Sequence, residues 1–117
     1  MVEPLKTIRQ IAGWILCVPL VAMFILAGLG KLIGRPGMVQ EFEYIGWGHW
    51  FRYLTGILEL VGVAGLVIPR VSWMAALMLA CIMAGAIIAH LTVLPTPPNL
   101  PAALLALCLI TAWVRRR

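Results

Sequence analysis

The sequence predicts an all-α integral membrane protein: a four-helix bundle with a short interfacial or re-entrant segment between helices 1 and 2. Of its 117 residues, 63% are apolar and 11% are charged, and the mean hydropathy is +1.04. Soluble globular domains contain roughly 45–50% apolar and about 25% charged residues. The apolar residues also fall into four runs, each long enough to cross a membrane as a helix and too long for a membrane β-strand.

Helix 1 is predicted at residues 11–32, where Lys31 is the single charged residue. Because Lys6 and Arg9 precede this run, a secretory signal peptide is the alternative interpretation. The apolar run is longer than the roughly 7–15 residues of a signal-peptide core, which favours a membrane span.

The other three helices are predicted at residues 50–68, 71–94 and 100–114, and the whole chain, 1–117, is expected to be one domain. Proline cannot donate a backbone hydrogen bond, so Pro69 and the segment 95–98 mark the ends of helices 2 and 3. Helix 4 is short, and must stand nearly upright or thin the bilayer locally.

Residues 35–49 connect helices 1 and 2 and place Met38, Phe42 and Ile45 at i, i+4 and i+7. This spacing gives a short helix one apolar face, which we expect to lie on the outer membrane surface as a lid or re-entrant segment. The alternative is a solvated connecting loop.

Basic residues at the helix ends predict the orientation and argue against a nucleic-acid partner. The net charge is +5, but the basic residues lie beside apolar runs and do not form a patch. Because the side with more basic residues faces the cytoplasm, both termini are expected there, with the chain in the cell (inner) membrane. One side carries Lys6, Arg9, Arg70, Arg115, Arg116 and Arg117, and the other carries Lys31, Arg35 and Arg52.

Glu59 is the first candidate for a functional residue. A charged side chain near the middle of a membrane helix is costly and usually faces a cavity, a partner or a proton pathway. Arg52, Thr55, Gly56 and Gly62 lie on the same predicted helix face and leave room beside it. We expect Glu59 to be a catalytic proton donor or acceptor; the alternative is a structural carboxyl that hydrogen-bonds neighbouring helices.

His90, near the end of helix 3, is predicted to share proton transfer with Glu59 at the mouth of one cavity. Simpler interpretations are a packing or capping role for His90, a membrane anchor for Lys31 and an aromatic belt for Trp47. The three cysteines are separate and lack metal-ligand spacing, so we expect neither disulfides nor a metal site. The residues predicted to bind the polar atoms of a ligand are Lys31, Arg52, Thr55, Glu41 and Trp47.

The chain resembles the DoxX-like membrane proteins over roughly residues 20 to 92. The matching features are residues 27–32, the segment from Met38 and Phe42 to Gly46, residues 56–62, and His90 with Leu91 after an alanine-rich stretch. One departure is Gly46-Trp47, where family members often have proline. The resemblance implies a four-helix membrane fold in which Lys31, Glu59 and His90 match recurring polar residues. The founding member looks like a quinone-linked thiosulfate oxidoreductase subunit, so the resemblance suggests a quinone.

Three functions follow as hypotheses. The first is binding of a lipophilic small molecule in an intramembrane cavity, either a quinone-type redox partner or the apolar substrate of an isomerase or epoxide-opening enzyme. The second is proton-coupled export, although small multidrug transporters carry their carboxylate in the first helix. The third is a non-catalytic assembly or chaperone subunit. The expected partners are the lipid bilayer, the ligand, and a second copy of the chain or a soluble redox protein.

Overall fold

The computed structural model describes the backbone of residues 2–116 and the side chains of residues 5–116, and this part of the chain is helical. The all-α prediction is therefore confirmed. Two segments, Leu5–Ile33 and Ser72–Thr92, are long and apolar enough to cross a membrane, and Asn99–Arg115 is a shorter apolar helix. The helices are α1 (Val2–Ile33), α2 (Pro36–Ile45), α3 (His49–Leu66), α4 (Ser72–Thr92) and α5 (Asn99–Arg115).

One element extends beyond the sequence prediction, and a second element confirms it. α1 begins at Val2 rather than near residue 11, because the polar residues before the apolar run include good helix formers such as Lys6 and Arg9. The connection after α1 contains a helix of 10 residues, as the spacing of Met38, Phe42 and Ile45 predicted, and not the alternative solvated loop. The described chain therefore has this short helix in addition to four longer ones. Pro36 occupies the first turn of α2, and Gly46 ends it in the left-handed conformation with φ 79°.

Contacts along α1 and α3 show that these helices are antiparallel. The Cys17 Sγ atom lies 3.8 Å from the carbonyl oxygen of Leu66, at the end of α3. Gly34, just after α1, lies beside the guanidinium of Arg52, near the start of α3. Residues late in one helix therefore meet residues early in the other.

The remaining contacts divide the bundle into two ends. Gly65 of α3 packs against Ala75 of α4, and Arg9 of α1 donates a hydrogen bond to the carbonyl oxygen of Val114 in α5. The terminal end, as we call it, therefore contains the start of α1, residues 67–71 and the end of α5. The lid end contains the end of α1, α2, the start of α3, the end of α4 and the start of α5.

The buried apolar core occupies the half of the bundle nearer the terminal end. Its side chains are contributed by all four long helices and pack against one another there. Fully buried members of this core are Cys17, Leu20, Phe24, Leu66, Ala76, Leu79 and Cys108.

α1 and α3 approach each other most closely where Gly28 meets Gly56. A Cβ atom added to Gly56 would lie 3.0 Å from the carbonyl oxygen of Gly28 and 3.1 Å from the Cβ atom of Lys31. Neither neighbour is the flexible end of a side chain, so the backbones can be this close only with glycine at the crossing.

Gly56→Ala is expected to destabilise the bundle by about 1–3 kcal/mol, because the added methyl group must push α1 and α3 apart. Gly37→Ala is the matched control, since this glycine also lies in a helix and a Cβ atom there would meet nothing within 4 Å. Unfolding in mixed detergent micelles, followed by far-UV circular dichroism, measures both. Equal stability of the two variants would contradict the close crossing.

Candidate functional site

The candidate site is a cavity of about 760 Å³ on the lid-end side of the core. All five helices contribute to its wall, and most of the lining side chains are aliphatic or aromatic. A mostly apolar cavity with a few polar groups is typical of a small-molecule binding site. Six of the seven predicted site residues line it: Glu59, His90, Lys31, Thr55, Glu41 and Trp47.

The ion pair between Lys31 and Glu59 is the main polar feature of the wall. The Nζ atom of Lys31 lies 2.6 Å from the Oε1 atom of Glu59, and the two side chains are 11% and 0% exposed. Apart from Lys31, no group in the described chain donates a hydrogen bond to either carboxylate oxygen. The pair is therefore nearly isolated from water and from other polar groups of the protein.

The glycine crossing explains why these two side chains meet. Lys31 follows Gly28 by three residues, and Glu59 follows Gly56 by three residues, so both lie just past the crossing on their own helices. Helix side chains tilt toward the N-terminus of their helix. Because α1 and α3 are antiparallel, the two side chains lean back toward each other and close the gap.

Arg52 lies outside the cavity lining, unlike the other predicted ligand-binding residues. Its guanidinium donates a hydrogen bond to the carbonyl oxygen of Lys31 and lies 4.5 Å from the centre of the Tyr53 ring. A cation at the carbonyl end of a helix is stabilised by the helix dipole. In this arrangement Arg52 holds the last turn of α1, and through it the backbone of Lys31.

His90 lies in the last turn of α4 and contacts the connection between α4 and α5. Its Nδ1 atom is 3.0 Å from the carbonyl oxygen of Thr96 and 2.9 Å from the Thr96 hydroxyl oxygen. A protonated Nδ1 donates to the carbonyl, whereas an unprotonated Nδ1 accepts from the hydroxyl. Both residues line the cavity, and either form of Nδ1 has a hydrogen-bond partner in Thr96.

The remaining predicted site residues lie under and beside α2. The hydroxyl of Thr55 donates to the carbonyl oxygen of Phe51 at 2.9 Å, so its hydrogen is already engaged within α3. Glu41 is half-buried on α2, and Trp47 is exposed beside the cavity. The hydroxyl oxygen of Thr55 can therefore accept a hydrogen bond from a molecule in the cavity, and Glu41 places a carboxylate in the cavity wall at the lid end.

An aromatic cluster fixes α2 over the cavity. The ring of Phe51 lies 5.7 Å from that of Phe42, 4.9 Å from that of Trp47 and 5.7 Å from that of Trp50, measured between centroids. Phe42 is buried, although it lies on the short helix. Such offset aromatic contacts add to the stabilisation from apolar burial.

Sequence reasoning missed three parts of the wall. Thr96 lies between prolines, in a segment from which the sequence predicted only the end of a helix. Cys81 has no motif that distinguishes it from a buried cysteine, but it lies exposed in the cavity wall. Gly85 is the third, with open space where its Cβ atom would be. The small side chains of α4 near Gly85 were the available signal, since they create the space opposite α3.

Comparison with known proteins identifies the family. The model of the DoxX-like family matches residues 15–113. This chain belongs to the DoxX-like family. No curated protein and no solved structure matches it. Family membership confirms the resemblance inferred from the sequence. DoxX-like proteins are membrane-associated, which agrees with the two helical segments long and apolar enough to cross a membrane.

Lys31→Met is expected to cost about 3–5 kcal/mol of stability, because it leaves the buried carboxylate of Glu59 without its cation. Glu59→Gln should cost less, since the amide oxygen still accepts a hydrogen bond from Lys31. Adding Glu59→Gln to Lys31→Met should recover part of the loss. Unfolding of the wild type, both single variants and the double variant in mixed micelles gives the coupling free energy. Strictly additive effects would show that the two side chains do not interact.

Proposed function

We propose that this DoxX-like protein is an integral membrane protein that binds a lipophilic small molecule in the cavity, with Glu59 as proton donor or acceptor. The observation that carries the proposal is the buried carboxylate of Glu59, charge-balanced by Lys31, in the wall of a mostly apolar cavity of about 760 Å³. A quinone-type redox partner is the leading occupant. An apolar substrate of an isomerase or epoxide-opening enzyme is the enzymatic variant.

Two features support insertion in the inner membrane. Large apolar side chains are exposed on all four long helices, which suits a hydrocarbon surrounding better than water. At the lid end, Lys31 and Arg52 are buried in internal contacts, and Arg35 is an exposed basic residue. The exposed positive charge is therefore concentrated at the terminal end, which orients both termini toward the cytoplasm.

The ligand enters the cavity sideways from the lipid. α3 and α4 are in contact near the terminal end, where Gly62 meets the side chain of Leu79. Nearer the lid end, Leu54, Gly85 and Ile88 line the cavity and are solvent-exposed. An opening between α3 and α4 at this level admits an apolar molecule without a passage through water.

On the proposed function, the proton chemistry divides between Glu59 and His90, which both line the cavity. Reduction of a quinone to a quinol consumes two electrons and two protons. On the proposed function, Glu59 exchanges a proton with the bound molecule, His90 exchanges protons with water at the lid end, and a soluble redox protein supplies the electrons. Isomerisation or epoxide opening would use the same carboxyl as acid or base without electron transfer.

Gly85→Phe is expected to weaken binding of a short-chain quinone analogue by more than about tenfold, because the ring would project into the cavity. Gly85→Ala is the matched control and should bind normally, since its methyl group meets only open space. Quenching of tryptophan fluorescence in detergent measures both, with Trp47→Phe identifying the signal from the cavity. Equal affinity of Gly85→Phe and Gly85→Ala would reject this cavity as the quinone site.

Glu59→Gln should retain quinone binding but lose turnover, because the amide cannot exchange a proton. Turnover is measured as quinol formation by the purified protein with a chemical reductant in place of the redox protein. Circular dichroism of the same preparation shows whether the bundle is intact. Undiminished turnover in a folded Glu59→Gln variant would exclude Glu59 as the proton donor.

Proton-coupled export is the second candidate, and the shared cavity of Glu59 and His90 favours it to a limited extent. The packed core between Glu59 and the terminal end offers no continuation of the cavity through the bundle. A substrate-dependent proton flux in vesicles would support export. A soluble protein that co-purifies in stoichiometric amount, with no ligand bound, would instead support an assembly subunit.

A further inference from the structure

The terminal end carries a cluster of arginine and tryptophan side chains that the cavity does not use. Arg9 of α1 donates hydrogen bonds to the carbonyl oxygens of Val114 and Arg116. These carbonyls lie at the end of α5, where the helix dipole favours a cation. Arg9 thus ties the start of α1 to the end of α5. The members of this arginine cluster are Arg9, Arg115, Arg116, Trp14 and Trp113.

Arg115 completes the connection from the other helix. Its guanidinium lies 4.5 Å from the centre of the Trp14 ring, and a Cβ atom on Gly13 would lie 2.5 Å from its Nε atom. The missing side chain at Gly13 therefore makes the space in which Arg115 rests. Arg116 is held in a similar way, with its guanidinium 4.5 Å from the centre of the Trp113 ring. A guanidinium stacked on an aromatic face can still donate hydrogen bonds from its edge, as Arg116 does to the carbonyl oxygen of Trp113.

No carboxylate balances this charge among the side chains that the structure describes. The described acidic residues are Glu41, Glu43 and Glu59, and all of them lie on α2 or in the site that pairs with Lys31. Trp14 and Trp113 are 43% and 65% exposed, as expected of tryptophan side chains at the level of lipid headgroups. The arginine cluster therefore carries positive charge that no described carboxylate balances, at the depth expected of lipid headgroups.

We propose that the arginine cluster binds the phosphate group of an anionic phospholipid in the cytoplasmic leaflet. This proposal rests on the membrane insertion proposed above and not on the cavity or its ligand. Phosphate oxygens match the paired donors of a guanidinium edge, and basic pockets between helices on the cytoplasmic side suit anionic headgroups. A bound phosphate beside Arg9 and Arg115 would join α1 to α5 and stabilise the bundle.

The test measures binding of phosphatidylglycerol to the full chain in detergent, by native mass spectrometry and by the increase in Tm on lipid addition. Phosphatidylcholine and inorganic phosphate are the two comparison ligands. We expect phosphatidylglycerol to bind and raise Tm, and the other two to have little effect. An equal rise in Tm with inorganic phosphate would replace the lipid site with a site for free phosphate, and overturn the proposal.

Arg115→Gln should weaken phosphatidylglycerol binding about tenfold, which corresponds to one charge-assisted hydrogen bond. Arg70→Gln is the matched control, because it removes the same charge from an exposed position at the same end but outside the cluster. Arg116→Gln is a second variant that keeps the backbone carbonyl to which Arg9 of α1 donates, because the described contacts of the Arg116 side chain are with Trp113 on its own helix. If Arg70→Gln weakens binding as much as Arg115→Gln and Arg116→Gln do, the attraction is a general effect of net charge and the site does not exist.

Discussion

The buried ion pair between Lys31 and Glu59 is the constraint on which the rest of the structure depends. A carboxylate that is 0% exposed loses its hydration, and only a cation at short distance compensates for that loss. Lys31 reaches it because α1 and α3 touch at Gly28 and Gly56. The glycines, which bury little apolar surface themselves, therefore serve mainly to bring the charges of two helices within 2.6 Å.

The arrangement of the helices at the lid end depends on this ion pair. Arg52 holds the carbonyl of Lys31, and so the last turn of α1 is fixed where α2 must begin. α2 in turn is held to α3 through Phe42 and Phe51. α1, α2 and α3 thus form one connected wall, whereas α4 has the small residue Gly85 at this level, with open space beside it. The cavity lies where a fixed wall faces a helix that lacks the side chains to fill the space.

Much of this arrangement could be predicted from the sequence, and the rest depends on which side chains meet between helices. Hydropathy located the long helices, and the energetic cost of charge in an apolar helix pointed to Glu59. Hydropathy could not show that α1 extends back to Val2, because those polar residues form a helix without an apolar run. The sequence correctly placed Arg52 on the same face of α3 as Glu59. The long side chain of Arg52 crosses to α1 and donates to a backbone carbonyl there. Residue spacing within one helix cannot predict such a partner in another helix.

The ion pair also restricts how proton transfer at Glu59 can occur. If Glu59 takes up a proton, the charge on Lys31 is left without a partner in the same nearly dry environment, at a cost of several kcal/mol. A polar oxygen of a bound molecule beside Lys31 reduces that cost, because it accepts the hydrogen bond that the carboxylate gives up. On the proposed function, binding and protonation are therefore linked: an oxygen-bearing ligand such as a quinone favours proton uptake by Glu59, whereas a hydrocarbon that fills the same space without an acceptor does not.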